Sequence, residues 1–436
     1  MNETAEIPAR SVRRFLMAAA AATLAILATV GAFNGIVDPL GALRLVDKPG
    51  FNHSKPGLYT RVRVAKAYDV RRIAPRAIIL GTSRSHLGLR PSHDGWYPTA
   101  SPRYNLAFDG ATTKEMYLFL RHADSVAPLE QVVLGIDTYH LSSAPASTRP
   151  GFIEDALLTD SGPLARLRVA LTDLRLLVSM DTLLLSIETL RGQWHPEPEW
   201  FAPDGQRLGE VFFRRPGEVF HDQSPREYFL AYDRRELGYQ MGASKPGGAK
   251  LPYAKAPPAP TDTSFDYLRR IIEYCRDHRI DLRIFTTPTH ARNLEISAAT
   301  GAWPFIEAGK RKLVALLAED AAAHPGEKPF PLYDFVDYSS ITTESLPAPG
   351  GKEEMANFWD SSHFKEGVGD LVLDRLLGTN LPSRPIPQDF GVRLETGNVE
   401  AHLTAVRQHQ AEYRASHPDE AAAIAAMIES RRQGNS

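Results

Sequence analysis

The sequence predicts an α/β protein, a three-layer α/β/α arrangement around a parallel sheet. A transmembrane helix precedes it, a helical insertion interrupts it and a helical tail follows. Three observations carry that expectation. Short apolar runs of strand length, such as "AIIL" and "VVLGI", stop at glycine or aspartate. Segments with apolar residues at helical spacing separate these runs, and that alternation implies parallel strands covered on both faces. The residues able to do chemistry follow the strands directly, where the ligand crevice of such a sheet opens.

Residues 1–14 end in Arg10, Arg13 and Arg14, and Phe15–Val37 carries no charge. At ~1.5 Å per residue a helix over that stretch reaches roughly 35 Å, enough to cross a hydrocarbon core of ~30 Å. The arginines in front favour a cytoplasmic N-terminus and an exported remainder. Arg44, Lys48 and Lys55 beyond the span act against that bias. A cleaved signal peptide is the alternative, because Val30-Gly31-Ala32 resembles a small-residue cleavage site. The apolar run continues past it to Val37, which favours an uncleaved anchor in the inner membrane. The bulk of the chain is then expected in the periplasm or outside the cell.

Residues 38–75 read as a polar link ending in a helix over Tyr59–Ile73. The first strand is expected in "RAIILG", the second in "RYNLAF" and the third in "EQVVLGID". A threonine-capped helix, "TTKEMYLFLRHA", joins the second to the third. From about 140 to 260 the pattern breaks into an insertion. It holds a leucine-rich helical stretch (Leu164–Leu190), many aromatics and the run "SKPGGAKLPYAKAPPAP". Order returns with a helix over Phe265–His278, the strand "DLRIFTTP", a helix over Pro304–Ala323 and the strand "FPLYDFVDY". A short helix over Lys365–Leu377 closes a domain spanning 76–380, and 381–436 reads as a peripheral helical tail.

Composition removes some classes. The 50 basic and 52 acidic side chains nearly balance, so nothing favours a nucleic acid partner. Cys275 is the only cysteine, which excludes an intramolecular disulfide and any multi-cysteine zinc site. No metal and no tightly bound cofactor is implied.

The first strand leads into "GTSRS", where Ser83 stands in a glycine-started turn. A helix beginning there would aim backbone N–H groups at a bound oxyanion. Thr82 and Ser83 could equally be plain helix caps. After the second strand, "NLAFDGAT" offers Gly110 for close backbone approach and Asn105 as a hydrogen-bond donor. An ordinary turn would use the same glycine. Asp137 follows the third strand, and His290 and Arg292 follow the fourth, as possible substrate-binding residues or as plain loop residues. Near the end, "NFWDSSHFKEG" sets Asp360 three residues before His363. A serine hydroxyl needs a base to become nucleophilic, and a carboxylate fixes that base's tautomer. Ser361 or Ser362 as a helix cap is the competing reading of this segment.

The order of Ser83 in "GTSRS", Gly110 in "NLAFDGAT" and "DSSH" with Asp360 and His363 resembles the SGNH/GDSL hydrolase superfamily. The likeness covers residues 76–378 without the insertion and implies a flavodoxin-like sheet. It further implies a Ser83–His363–Asp360 triad and an oxyanion hole from Ser83, Gly110 and Asn105. With one membrane span, the chain is most similar to the D-alanine-transfer protein of teichoic acid synthesis and to SGNH-like proteins of exopolysaccharide O-acetylation. Two positions depart from the family pattern. Thr82 replaces the usual aspartate, and Asp137 stands where the family has asparagine. An ionised aspartate cannot donate a hydrogen bond.

The expected function is therefore that of a membrane-anchored acyl esterase or O-acyltransferase acting through a serine acyl-enzyme. Its acceptor would be a glycan or another hydroxyl, and the likeness implies a membrane-bound O-acyltransferase as partner. The alternatives are a non-catalytic binding partner of such an acyltransferase and a lipid or small-ester esterase.

Overall fold

The computed structural model describes residues 9–142, 145–160, 162–196, 198–214, 223–242 and 262–434. The expected loop "SKPGGAKLPYAKAPPAP" lies outside them. In chain order the elements begin α1 (Ala9–Val37), α2 (Val62–Ile73), β1 (Ala77–Leu80), α3 (Ser83–Gly88), β2 (Arg103–Asn105), α4 (Thr113–Val126) and β3 (Gln131–Ile136). The middle holds α5 (Pro163–Leu177), α6 (Met180–Gly192), α7 (Gly209–Phe213) and α8 (Pro225–Gln240). Next come α9 (Ser264–Asp277), β4 (Asp281–Thr286), α10 (Ala291–Ala299), α11 (Trp303–Ala323) and β5 (Leu332–Asp334). The chain finishes with α12 (Glu366–Leu377), β6 (Val392–Arg393), α13 (Val399–Ser416) and α14 (Pro418–Arg432).

The chain divides into two compact units. One comprises the residues up to Arg72 with Ile153–Pro198, and the other Ile73–Phe152 with Glu199–Ser436. The sequence-level insertion is thus shared between them, its leucine-rich helices falling in the first.

In the first unit α1 is one apolar helix, long enough to cross a membrane and suited to a signal sequence or a single anchor. Its last turns are built into the protein. Asn34 is buried, donates through Nδ2 to the Leu177 carbonyl at 2.7 Å and accepts from Ser186 Oγ at 2.8 Å. Buried Asn52 donates to the Val37 carbonyl at 3.1 Å, meeting one of the acceptors that a helix C-terminus leaves open. Leu40, Val64, Tyr68 and Leu185 form the small core beneath.

The second unit holds the predicted sheet. Its strand order is β2-β1-β3-β4-β5-β6, and all neighbours are parallel except β5 and β6. The apolar runs became its centre: every residue of β1 and β3 is buried, as strands covered on both faces require. The tail departs from expectation. It adds β6 as an antiparallel edge beside β5, and Ile424 and Ile428 of α14 bury against Leu237 and Ile296. The cause lies in scattered apolar residues on α13 and α14, which are polar on average but meet a waiting surface.

The last residue of β5, next to the antiparallel edge strand, sits in a buried ionic cluster. Asp334 accepts from Lys310 Nζ at 2.6 Å, from His402 Nε2 at 2.7 Å and from the Thr286 hydroxyl. Burial alone would raise the Asp334 carboxyl, but Lys310 and His402 outweigh it and hold it well below the usual range. Removing the cation would strand a buried carboxylate. Lys310→Met is therefore expected to cost about 3 kcal/mol in urea unfolding, and adding Asp334→Asn to recover part of that loss. An unchanged midpoint for Lys310→Met would contradict this reading of the cluster.

Candidate active site

β1 ends at Leu80, and Gly81 follows with φ +155, a conformation that side chains avoid. A Cβ at Gly81 would also come within 2.3 Å of Ser85 Oγ, so glycine is required twice over. Thr82 continues extended and caps α3, its Oγ1 accepting from the Arg84 N–H at 3.4 Å. Ser83 is then the first helical residue, half-buried just past the carboxyl end of β1. The capping reading and the exposed-serine reading of this turn are thus compatible.

The acid–histidine loop is held at both ends. Phe358 and Phe364 are buried in the core and pair as an antiparallel bridge. Trp359 N–H donates to the His363 carbonyl at 2.8 Å and closes the loop between them. Asp360 is fully buried inside it, and its Oδ1 accepts from the N–H groups of Ser362 (2.8 Å) and His363 (2.9 Å). His363 Nδ1 lies 2.8 Å from Asp360 Oδ2, and Tyr228 donates to the same oxygen at 3.4 Å. With its Nδ1–H given to the carboxylate, the ring presents Nε2 as an acceptor. Ser83 Oγ stands 2.8 Å from that nitrogen. Serine, histidine and aspartate form one hydrogen-bonded chain. The serines between them do not cap α12, whose first turn has no side-chain cap.

The other candidates divide. Gly110 has φ +60 and sits on a loop tied to the serine turn, where Phe108 N–H donates to the Gly81 carbonyl at 3.3 Å. A Cβ there would lie 3.0 Å from the Arg149 guanidinium. Among the described residues the backbone N–H groups of Ser83 and Gly110 have no protein partner. Asn105 does not join them. Its buried amide donates to the carbonyls of Ser85 (3.0 Å) and Leu89 (2.9 Å) and accepts from Ala107 N–H (3.0 Å), so it closes the end of α3. Asp137 is likewise buried, accepting from Thr82 Oγ1 at 2.6 Å and Thr287 Oγ1 at 2.8 Å. It holds the serine turn from beneath. His290 caps α10 through Nδ1, which accepts from Arg292 N–H at 3.2 Å, and its Nε2 donates to the Glu344 carbonyl at 2.7 Å. Arg292 is buried in an ion pair with Asp233 at 2.8 Å. Neither is an open loop residue.

Arg84 is the residue that sequence reasoning passed over. Buried beside Ser83, it donates to Thr287 (3.2 Å), Thr289 (3.0 Å) and Ser362 (3.2 Å), tying the serine helix to two other loops. A long basic side chain among the small residues of "GTSRS" was the available signal. The insertion also contributes: Tyr232 stands edge-on to His363 at 5.5 Å, and Phe213 stacks on Trp359 at 4.8 Å. The aromatic richness of that segment hinted at a wall, but no spacing rule linked it to residue 363.

The placement of His290 has a consequence in pH. Burial, opposed by its bond to the Glu344 carbonyl, lowers its pKa from 6.5 to about 4. Between those values the unfolded chain binds a proton that the folded chain refuses, so stability rises with pH there and is lost as pH falls. The loss from this group should reach roughly 3 kcal/mol by the acid end. His290→Gln should flatten the dependence of urea midpoint on pH across that window, and an unaltered slope would rule the assignment out.

The geometry stands on its own residues: no family model matches the chain, and no curated protein matches it.

Proposed function

We propose that the protein is an SGNH-like serine acyl esterase or O-acyltransferase, anchored by α1 with its bulk on the exported side of the inner membrane. The observation that carries this reading is the chain Ser83 Oγ, His363 Nε2, His363 Nδ1, Asp360, with 2.8 Å at each polar contact. Such a chain converts an inert hydroxyl into a nucleophile, which a mere helix cap has no need of.

In the proposed reaction Ser83 Oγ attacks an acyl carbonyl while His363 Nε2 takes its proton. The developing oxyanion turns to the N–H groups of Ser83 and Gly110. Collapse breaks the ester bond, and His363 returns the proton to the departing oxygen. A second hydroxyl, from a glycan or from water, then attacks the acyl-serine while losing its proton to His363, and His363 passes that proton to Ser83 Oγ as the acyl–serine bond breaks. Asp360 keeps the ring in the required tautomer and stabilises its cation. The aromatic wall of Phe213, Tyr232 and Trp359 beside His363 suits the apolar face of a sugar ring or an acyl chain.

A second reading is favoured by Asp137. Its carboxylate is occupied by Thr82 and Thr287, so the crevice lacks the side-chain amide donor that the SGNH pattern has there. A non-catalytic partner that presents polymer to a membrane-bound O-acyltransferase would tolerate that loss.

A fluorophosphonate probe separates the two. Labelling of the wild-type protein at Ser83 is expected, with none in Ser83→Ala. Ester hydrolysis should fall roughly 10⁶-fold in Ser83→Ala and His363→Ala and roughly 10⁴-fold in Asp360→Asn, as triad members act together. Wild-type polymer acylation by folded Ser83→Ala would instead establish the partner role.

A further inference from the structure

In the first unit α5 turns an apolar face outward. Leu164, Leu167, Leu171 and Leu174 are 80%, 55%, 58% and 56% exposed. Spacings of three, four and three residues put them on one stripe of a helix. Ala165 and Val169, both buried, form the opposite side that holds α5 to its unit. Met180 and Leu184 of α6 are also more than half exposed. A contiguous apolar surface of this kind in water is a liability unless something covers it.

The position of α1 says what covers it. From Arg14 to Gly31 the helix rises roughly 26 Å, close to the ~30 Å of a hydrocarbon core. A Cβ on Gly31 would meet Val178 Cγ1, just past the end of α5, at 3.3 Å. Three residues on, Asn34 is buried and hydrogen-bonded to α5 and α6, so the anchor is already inside protein there. The end of α5 therefore meets the anchor at the level where the anchor leaves the acyl chains. Arg175 and Arg168 border the leucine stripe one helical turn from Leu171 and Leu164, and Arg168 also meets Asp155 at 3.7 Å. Leucines on one face with arginines at its margin are the make-up of a helix lying in a lipid interface.

We propose that α5 is a membrane-interface helix, its leucine face in the acyl chains of the leaflet from which α1 emerges and its arginines at the phosphates. The inference rests on α1 being an uncleaved anchor, and it adds a second lipid contact that fixes how the first unit meets the bilayer.

The test uses the full chain in vesicles of phosphatidylcholine with a minority of phosphatidylglycerol. Cys275, the only native cysteine, is buried, so a single introduced cysteine can carry an environment-sensitive fluorophore. Leu24→Cys reports the anchor, Leu167→Cys the stripe and Arg166→Cys the other side of α5. Lipids with a nitroxide high on the acyl chain should quench Leu167→Cys by about half or more and leave Arg166→Cys nearly unchanged. Quenching at Leu24→Cys without quenching at Leu167→Cys would overturn the proposal while leaving the anchor intact. No quenching at either position would overturn both. A blue-shifted but unquenched Leu167→Cys would assign the stripe to a protein partner or a second copy, and would also overturn it.

Discussion

The hydrogen bond between Ser83 Oγ and His363 Nε2 joins two loops 280 residues apart in sequence. Neither loop can place its side chain alone, so the sheet unit has to assemble before the pair exists. On one side the turn after β1 depends on Gly81, which leaves room for Ser85 under the first turn of α3. On the other, Phe358 and Phe364 anchor the acid–histidine loop in the core. Arg84 spans the gap between them, reaching Ser362 from the serine helix. The contact between Ser83 and His363 rests on backbone held by packing, and the polar ties aim it.

Charge is compensated at each buried point of this assembly. Asp360 takes backbone N–H groups and the imidazole, so the carboxylate is solvated by its own loop. Arg84 Nε lies 4.0 Å from Asp137, whose oxygens are otherwise filled by two threonine hydroxyls. Buried ions persist where hydrogen bonds and an opposite charge replace the lost water. Thr82 and Asp137 make sense together. With Thr82 before Ser83, an acceptor beneath it can orient the cap, and Asp137 is that acceptor.

The sheet was legible in the sequence because parallel strands buried on both faces leave unbroken apolar runs, as in Ala77–Leu80. Of the hydrogen-bonded chain, Ser83 was legible because it follows a strand whose end could be read, and Asp360 and His363 were legible from their three-residue spacing. The roles of the polar residues around them were not. Asn105 has the chemistry of an oxyanion donor, yet its amide is engaged by two carbonyls at the end of α3, a geometry that no spacing reveals. Tyr228 and Tyr232 come from an insertion more than a hundred residues before His363, and such contacts have no local signature. β6 is two residues long, too short for any periodicity, and it drew the tail into the sheet unit unannounced.

The central claim is that His363 makes Ser83 a nucleophile. It is tested most directly by mixing the protein with an activated acetyl ester, quenching in acid and weighing the peptides. The account predicts an acetyl group on the peptide containing Ser83, absent when His363 is replaced by alanine. Acetylation that is absent from Ser83, or that persists there without His363, would contradict it.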